Sequence, residues 1–419
     1  MKNRKFVFFS AVVGNILEYY DFTVYIVFLV NISNSFFAPD SELAKTLSAL
    51  AVFAVGFVTR PIGGIIFGYL GDKYGRKISL ICSMVGMTIP TFAIGLLPGY
   101  EDIGIYAPII LVILRLIQGL CISGEGTGAA IFVLEHYHNL KPGFITGLIH
   151  AMNILGTLTA SLIGIAINRI FPEVDFAWRF AFILGGVFGL AGFYLRMLVS
   201  ETPIFIAASR SKSKINISFF TLVKRTYKSM ILSLSLGAFA SILVYLVKAY
   251  INVFYSTVLK NTTFDSLAYV SYTSFIMMLV MPISGYISDV IGKTKTIKYA
   301  TVLTCIIILP TFLCMMNPSF YLRILGLTLL AISAGGVSGS AYNFAISLFK
   351  PQYRFLGVGF SYNLGVAIFG GTSPIIARHL VEYTGVHYAP ALYVMLVSAI
   401  FLAILAYFKT YIASIFSSK

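Results

Sequence analysis

The sequence is poor in charged residues. Only 11% of its 419 residues are Asp, Glu, Lys or Arg, 58% are apolar, and the mean hydropathy is +0.90. In a soluble protein about a quarter of the residues are charged, so the composition excludes a soluble protein and predicts one that is embedded in a membrane. The four cysteines all fall inside apolar runs, which gives no sign of a disulfide framework.

Acidic residues are scarcer than basic ones, at 15 against 30, which gives a net charge of +15. This surplus could suggest a nucleic-acid partner, but cations in the cytoplasmic loops of a membrane protein explain it better. No P-loop sequence occurs, so we expect no direct drive by ATP. An intramembrane protease would need a matched pair of catalytic groups, and Asp21 has no second mid-span aspartate. We therefore expect neither an enzyme nor a metal, a cofactor or a nucleic-acid partner.

Apolar runs of 20 or more residues cover the whole length of the chain, which predicts membrane-spanning helices embedded in a lipid bilayer. The twelve predicted spans are 7–31, 46–71, 78–97, 106–134, 143–168, 178–198, 229–257, 267–288, 297–316, 321–349, 355–380 and 388–408. The longest polar segment, 199–228, separates six spans from six. We therefore predict an N-terminal bundle at 1–198, a cytoplasmic linker at 199–228 and a C-terminal bundle at 229–419.

A short charged hairpin occurs once in each half. Residues 60–77 read RPIGGIIFGYLGDKYGRK, and a weaker copy spans Gly285 to Lys293, with Asp289 placed 217 residues after Asp72. A glycine in each copy would let the chain reverse between two helices. Together with the spans, this repeat predicts an all-α, polytopic membrane protein with 12 transmembrane helices in two pseudo-symmetric six-helix bundles.

The loop cations predict the orientation. The N-terminus, the connections after even-numbered spans and the C-terminus hold 21 Lys and Arg and four acids, whereas the opposite loops hold five Lys and Arg and eight acids. By the positive-inside rule, both termini lie in the cytoplasm.

Three acids fall inside spans: Glu18, Asp21 and Glu125. Charges at membrane depth persist mainly where they face a cavity or each other. Since burial favours the protonated form of a carboxyl group, any of the three could carry the transported proton. The alternative is a structural ion pair with Arg60 or Arg115. The direct test is Asp21→Asn, which we expect to abolish uphill accumulation.

Four cations also fall inside spans. Arg60 and Arg115 could bind a carboxylate of the substrate, since a guanidinium suits that group, or they could neutralise the buried acids. Arg179, at the outer start of a span, could instead reach the interface. Lys248 could face a cavity or the outer surface. Asp72, Arg76 and Asp289, at the cytoplasmic surface, indicate a gating or structural role.

The motifs that carry a family resemblance run from the first span to the eleventh. They are Gly14 to Phe22, Gly68 to Lys77, Arg60 to Gly64, Arg115 to Gly119, Ser123 to Glu125, Trp178-Arg179, Glu201 to Pro203, Tyr362-Asn363 and Phe369 to Pro374. The chain resembles the major facilitator superfamily and, more narrowly, its metabolite:proton symporters, which carry proline/betaine, α-ketoglutarate, citrate or shikimate. It departs from them at Tyr19, where that family usually has Trp.

The resemblance implies proton-coupled symport by alternating access, with Arg76 reaching Glu135 to close an inner gate. We expect the solute to be a proline/betaine-type zwitterion or an organic acid such as α-ketoglutarate, and the protein to be a monomer in the bacterial inner membrane. No cofactor is expected, because the proton gradient drives transport. Proton-coupling residues are Glu18, Asp21 and Glu125; substrate-binding residues are Asn15, Tyr19, Arg60, Arg115, Gln118, Arg179, Lys248, Tyr362 and Asn363; gating residues are Asp72, Arg76, Glu135 and Asp289.

Two alternatives remain open at this point. One is an exchanger or effluxer of the same fold, in which counterflow would survive collapse of the proton gradient. The other is a transport-dead sensor, which would usually carry an added soluble output domain.

Overall fold

The fold is helical throughout the described residues. In this computed structural model of the protein, those residues are 4–38, 48–49, 51–52, 55–137, 141–210, 219–260 and 262–417, and they contain no strand. Ten of their helices are long and apolar enough to cross a membrane, or eleven if one bent pair counts as a single span. The all-α, multi-span prediction is confirmed.

The chain divides into two compact units. Unit 1 contains residues 1–138 and 152–215, and unit 2 contains residues 139–151 and 216–419. The first half of the chain forms α1 (Arg4–Val27), α2 (Leu29–Phe36), α3 (Arg60–Lys73), α4 (Arg76–Leu96), α5 (Tyr106–His136), α6 (Pro142–Ile170), α7 (Trp178–Met197) and α8 (Pro203–Arg210). The N-terminal part of α6 belongs to unit 2 and the remainder to unit 1.

The second half forms α9 (Phe219–Tyr245), α10 (Thr263–Ile291), α11 (Lys293–Met315), α12 (Phe320–Ser347), α13 (Arg354–Gly365), α14 (Gly371–Thr384), α15 (Ala389–Tyr407) and α16 (Lys409–Ser417). Part of the predicted linker (211–218) and part of the second predicted span (46–47, 50 and 53–54) lie outside the described residues. The predicted domain boundaries stay a prediction.

The first predicted span, 7–31, is not one straight helix. The structure bends by 65° between residues 6–27 and the short helix Leu29–Phe36. This bend could not be predicted from the local sequence, because neither Gly nor Pro occurs at the break. A core of aromatic and aliphatic side chains packs around it, including Phe28, Ile32 and Phe36, and this packing favours the bent path over a straight helix.

The two hairpins behave as their sequences predict. Gly75, between α3 and α4, has a φ of +120°, and Gly292, between α10 and α11, has a φ of +96°. Both angles lie in the region that glycine adopts at little cost and other residues avoid. The prediction that a glycine reverses the chain in each copy is confirmed.

Glycines also let the helices of unit 1 approach closely. A Cβ atom added to Gly63 of α3 would lie 2.7 Å from the carbonyl carbon of Leu120 in α5, and one added to Gly119 would lie 2.7 Å from the Cα atom of Gly56. Such contacts are typical of membrane helices packed through small residues. They fix Arg60 on α3 beside the polar face of α5.

Two spans of unit 2 contain π-helical turns. Residues Leu246–Tyr250 and Phe254–Val258 follow α9, and Val366–Gly370 joins α13 to α14. A π turn widens the helix locally and often lies near a functional site. The predicted spans 229–257 and 355–380 therefore exist, but with local distortions that the sequence did not indicate.

Candidate substrate and proton site

Buried ionisable side chains gather inside unit 1. Three arginines and three acids are buried there, all of them 5% exposed or less: Glu18, Arg60, Asp21, Arg115, Glu125 and Arg196. Helices α1, α3, α4, α5 and α7 supply these groups and the hydroxyl and amide side chains around them. Since isolated charges are costly in such surroundings, the partners of each group decide what it can do.

Glu125 is the best compensated of the three acids. Its carboxylate forms an ion pair with Arg196 of α7 and accepts a hydrogen bond of 3.3 Å from the hydroxyl group of Ser83. Gly14 of α1 makes room for the pair, since an added Cβ atom would lie 2.9 Å from both Glu125 Oε1 and Arg196 Nε. Glu125 was predicted as a proton carrier, but its direct pairing favours a fixed charge.

Arg60 has a buried guanidinium group that is only partly satisfied. It is 3% exposed, and its Nε and Nη2 atoms donate to no residue in the described part of the chain. Its Cζ atom lies 4.8 Å from the ring centroid of Phe22 and 4.3 Å from that of Phe57. The aromatic faces stabilise the cation, but they cannot accept its N–H groups in the plane of the guanidinium.

Arg115 contacts the same phenyl ring. Its Cζ atom is 5.0 Å from the centroid of Phe22 and 4.2 Å from that of Tyr25. Its Nη1 atom donates to Gln118 at 2.9 Å, and the Gln118 amide donates to Thr91 at 2.8 Å. This chain of hydrogen bonds holds the side chains of α4 and α5 in register and fixes Gln118 as part of the network.

Glu18 has no hydrogen-bond partner in the described residues. It is 5% exposed, and neither carboxylate oxygen accepts a hydrogen bond there. The charged groups that act on it electrostatically are Arg60, Arg196 and Asp21. An acid held only by charge, without a fixed donor, can bind or release a proton without breaking a hydrogen bond.

Asp21 lies one turn further along α1. One side-chain oxygen contacts Thr91. The other, Oδ1, packs closely against Gly185 of α7, where an added Cβ atom would lie 2.7 Å from it. Glu18, Asp21 and Glu125 line one small cavity together with Ser83 and Thr88, of about 10 Å³, which corresponds to about one water molecule. The structure therefore brings the three sequence-predicted acids to one place.

Asn15 and Tyr19 lie on α1 near α6. The Asn15 amide donates to Asn153, and both side chains are buried. Tyr19 is half-buried, and a Cβ atom on Gly156 of α6 would lie 3.0 Å from its Cβ atom. Asn153 is a buried polar partner that the sequence analysis did not single out.

Arg179 lies at the start of α7, away from the charge network. It donates to the carbonyl oxygens of Gly95 and Leu97 at 3.3 and 2.5 Å. These are the last carbonyls of α4, which a cation at a helix C-terminus stabilises. Its position favours the structural alternative over substrate binding.

Lys248, Tyr362 and Asn363 are in unit 2. Lys248 lies in the first π turn and is half-buried. The buried ring of Tyr362 meets that of Tyr342 edge to face, with centroids 5.4 Å apart. Asn363 donates to the carbonyl oxygen of Gly359 at 2.8 Å, within its own helix.

A second charge cluster lies at the hairpin of unit 1. Arg76 contacts Glu135 at 3.1 Å and Asp72 at 3.4 Å, and it donates to the carbonyl oxygen of Gly71 at 2.8 Å. Thr202 donates to Glu135 at 2.7 Å. The structure thus brings Arg76 and Glu135 together, while their gating role stays a prediction.

Glu201 and Asp289 each hold the start of a helix. Glu201 accepts the backbone N–H groups of Arg76 and Lys77 at 3.1 and 3.0 Å, at the beginning of α4. Asp289 accepts those of Gly143 and Phe144 at 2.7 and 2.9 Å, at the beginning of α6. Both arrangements satisfy helix N-termini with a carboxylate.

Comparison with known proteins now identifies the family. The model of the Major Facilitator Superfamily matches residues 11–362. The chain belongs to this superfamily. Among its relatives, this facilitator is 31% identical to the glycine betaine/proline/ectoine/pipecolic acid transporter OusA of Dickeya dadantii, over 93% of this chain and 80% of that one. It is 30% identical to the proline/betaine transporter of Escherichia coli, with the same shares covered.

Solved structures agree on the fold. The proton:xylose symporter XylE, bound to 6-bromo-6-deoxy-D-glucose, superposes with a TM-score of 0.73 at 14% identity, covering 98% of this chain and 96% of that one. The resemblance inferred from the motifs is therefore confirmed, and this facilitator is a membrane transporter of small molecules rather than an enzyme.

Arg196 is a charged member of this network that the sequence did not reveal. The charge count placed it among the cytoplasmic cations because it lies at the end of a span, whereas the structure buries it against Glu125. One signal could have found it. Gly185, Gly189, Gly192 and Arg196 follow a helical spacing and share the buried face of α7.

Proposed function

We propose that this transporter is a proton-driven symporter that imports a small carboxylate-bearing solute by alternating access. The relatives named for proline and betaine support a zwitterion as the solute. We place the protein in the bacterial inner membrane as a monomer with both termini in the cytoplasm. The proton gradient is the driving force, so no cofactor takes part.

The observation that supports this proposal most strongly is the partly satisfied guanidinium of Arg60. An arginine side chain stays charged in proteins, and a buried donor without an acceptor costs about 1–3 kcal/mol. The two unsatisfied nitrogen atoms, Nε and Nη2, belong to one planar, charged group. A carboxylate can accept a hydrogen bond from each of them. In this proposal the carboxylate of the solute supplies the missing acceptors of Arg60.

Glu18 links that step to a proton. Arg60 acts electrostatically on Glu18, so a solute carboxylate bound to Arg60 would come close to a second negative charge. Two carboxylates in a dry site repel each other, and a proton on Glu18 removes the repulsion. Solute and proton therefore bind together, which is the requirement for symport. Among the three acids, Glu18 is favoured over Asp21 and Glu125 because no hydrogen bond in the described residues holds its carboxylate.

The inner gate in this proposal is the hairpin cluster. Arg76, Asp72 and Glu135 hold α3, α4 and α5 together at the cytoplasmic end of unit 1. Asp289 lies in the equivalent hairpin of unit 2, and its carboxylate holds the start of α6. Breaking and remaking such contacts would switch the protein between a conformation that is open to the cytoplasm and one that is closed to it.

The test is Glu18→Gln, which keeps the shape of the protonated acid. In proteoliposomes with an inward-directed proton gradient, the wild type should accumulate labelled solute above equilibrium. The variant should bring the solute to equilibrium, retain counterflow and lose accumulation. Glu382→Gln, an exposed acid far from the network in sequence, serves as the matched control and should accumulate like the wild type.

A Glu18→Gln variant that accumulates the solute as well as the wild type does would exclude Glu18 as the proton carrier.

The substrate class is tested with a labelled panel of betaine, proline, α-ketoglutarate, citrate and shikimate, with and without the pH gradient. We expect uptake of proline or betaine that depends on the gradient. Uptake that does not depend on the proton gradient would indicate an exchanger instead.

A further inference from the structure

The small cavity inside unit 1 is lined by oxygen atoms and apolar groups. Its volume is about 10 Å³, and its polar lining comes from Glu18 and Asp21 of α1, Ser83 and Thr88 of α4 and Glu125 of α5. Leucine, methionine and glycine residues form the rest of the wall. Such a space holds one particle about the size of a water molecule.

The two carboxylates of α1 bring oxygen atoms without a partner to this cavity. Glu18 and Asp21 are 5% and 2% exposed. Both carboxylate oxygens of Glu18, and Oδ1 of Asp21, accept no hydrogen bond in the part of the chain that the structure describes. Since the two residues are three positions apart on one helix, they share a face. Buried carboxylates without a donor or a cation are costly, so the cavity is where a positive group can compensate both.

The hydroxyl groups of the lining do not supply that compensation. Ser83 donates to the carbonyl oxygen of Leu80 at 3.0 Å and to Glu125 at 3.3 Å. Thr88 donates to the carbonyl oxygen of Met84 at 2.8 Å. A hydroxyl group has one hydrogen atom and two lone pairs, so both residues offer lone pairs to the cavity. The lining is therefore rich in acceptors.

Acceptor oxygens around so small a space suit a small cation, because hard cations take carboxylate and hydroxyl oxygens as ligands. In the residues that the structure describes, no group of three or more His, Cys, Asp or Glu side chains is placed to hold a metal ion. Arg60 and Arg196 also act electrostatically on Glu18, and Glu125 is already paired with Arg196. These neighbours disfavour a divalent ion and favour a monovalent one.

We propose that this cavity binds Na⁺ through the Glu18 carboxylate, Asp21 Oδ1 and the hydroxyl oxygens of Ser83 and Thr88. The inference rests on the proposed function, because Na⁺ takes the place of the proton beside Glu18. A solute carboxylate on Arg60 adds one negative charge, and either cation balances it. A Na⁺ gradient therefore also drives uptake. The smaller Li⁺ fits the cavity too, whereas K⁺ is too large.

The first test uses reconstituted protein with the same pH on both sides. An inward NaCl gradient is set against choline chloride, with equal K⁺ on both sides and valinomycin to hold the membrane potential at zero. We expect labelled proline or betaine to accumulate above equilibrium, and to do so with LiCl as well. In detergent, at a pH where Glu18 is ionised in the empty protein, we expect the protons taken up per bound solute to fall at least about twofold when NaCl replaces KCl.

The second test removes one hydroxyl ligand. Thr88→Val keeps the size of the side chain and loses a hydroxyl group that bonds within its own helix. We expect the ratio of Na⁺-driven to proton-driven accumulation to fall about tenfold, the effect of one lost ligand. Thr301→Val is the matched control, because Thr301 of α11 is also buried and donates to the carbonyl oxygen of Ile297 at 2.8 Å. Its ratio should equal that of the wild type.

Equal ratios in the wild type and both variants would overturn the assignment of the site. Accumulation under a proton gradient but not under a Na⁺ gradient, with the same proton uptake in NaCl and KCl, would overturn the Na⁺ site and leave the symport proposal intact. No accumulation under either gradient would overturn the proposed function, and this inference with it.

Discussion

Unit 1 buries two groups of charges, and they are satisfied to different degrees. At the hairpin, Arg76 has two acids and a backbone carbonyl as partners, and Glu135 also accepts from Thr202. At membrane depth, Arg60 and Glu18 keep polar atoms without a hydrogen bond in the described residues. A satisfied cluster holds one arrangement, whereas we propose that the unsatisfied one binds a ligand and a proton.

The largest expected effect breaks the satisfied cluster. Glu135→Ala removes the main partner of a buried cation, which costs about 3–5 kcal/mol of folding stability. We expect a clearly lower midpoint of thermal unfolding in detergent. Glu18→Gln is the matched comparison and should unfold close to the wild-type temperature, because no hydrogen bond is lost. Equal destabilisation by the two variants would contradict the distinction between the clusters.

A smaller effect is expected at the unsatisfied cluster, where we propose that the solute binds. Arg60→Lys keeps the positive charge but loses the planar fork, so we expect KM to rise about 30-fold, or about 2 kcal/mol. Initial rates of uptake against solute concentration measure this change. Uptake with an unchanged KM would show that Arg60 only neutralises the acids, as the structural alternative holds.

The Glu125–Arg196 pair can be disturbed without removing a charge. In Gly14→Ala the new methyl group would lie 2.9 Å from Glu125 Oε1 and from Arg196 Nε, so the pair must move. We expect proton-driven accumulation to fall about tenfold, or about 1.4 kcal/mol. Gly336→Ala is the control, because its added Cβ atom would meet only the Cβ atom of Ala300, at 3.8 Å. Similar losses in both variants would contradict a specific role for the pair.

The smallest effect belongs to an exposed pair. Arg378 and Glu382 are 49% and 57% exposed and lie 2.8 Å apart on α14. Such a pair typically contributes about 0.3–0.5 kcal/mol to folding stability. Arg378→Ala should leave KM and the unfolding midpoint unchanged within error, and a large change in either would show that exposure is a poor guide to the role of a charge here.

Much of the fold followed from the sequence. Long apolar runs and a repeated hairpin predicted the helices, and Gly75 and Gly292 take the positive φ values that the hairpins need. The bend before Leu29 and the π turns were not predicted, because they arise from packing between helices rather than from local composition.

The residues that form the candidate site could be predicted from the sequence, whereas the ion pairs between them could not. Glu18, Asp21 and Glu125 are conspicuous as acids in apolar runs, and they do line one cavity. Which acid is paired depends on Arg196, which comes from a helix far along the chain.

The most direct test of the account measures protons taken up when the solute binds. Detergent-solubilised protein in a weakly buffered solution with a pH-sensitive dye is mixed with the solute found in the uptake panel. At a pH high enough for Glu18 to be ionised in the empty protein, we predict that the wild type takes up about one proton per bound solute and that Glu18→Gln takes up none while still binding it. Equal proton uptake by both proteins would contradict the claim that solute and proton meet at Arg60 and Glu18.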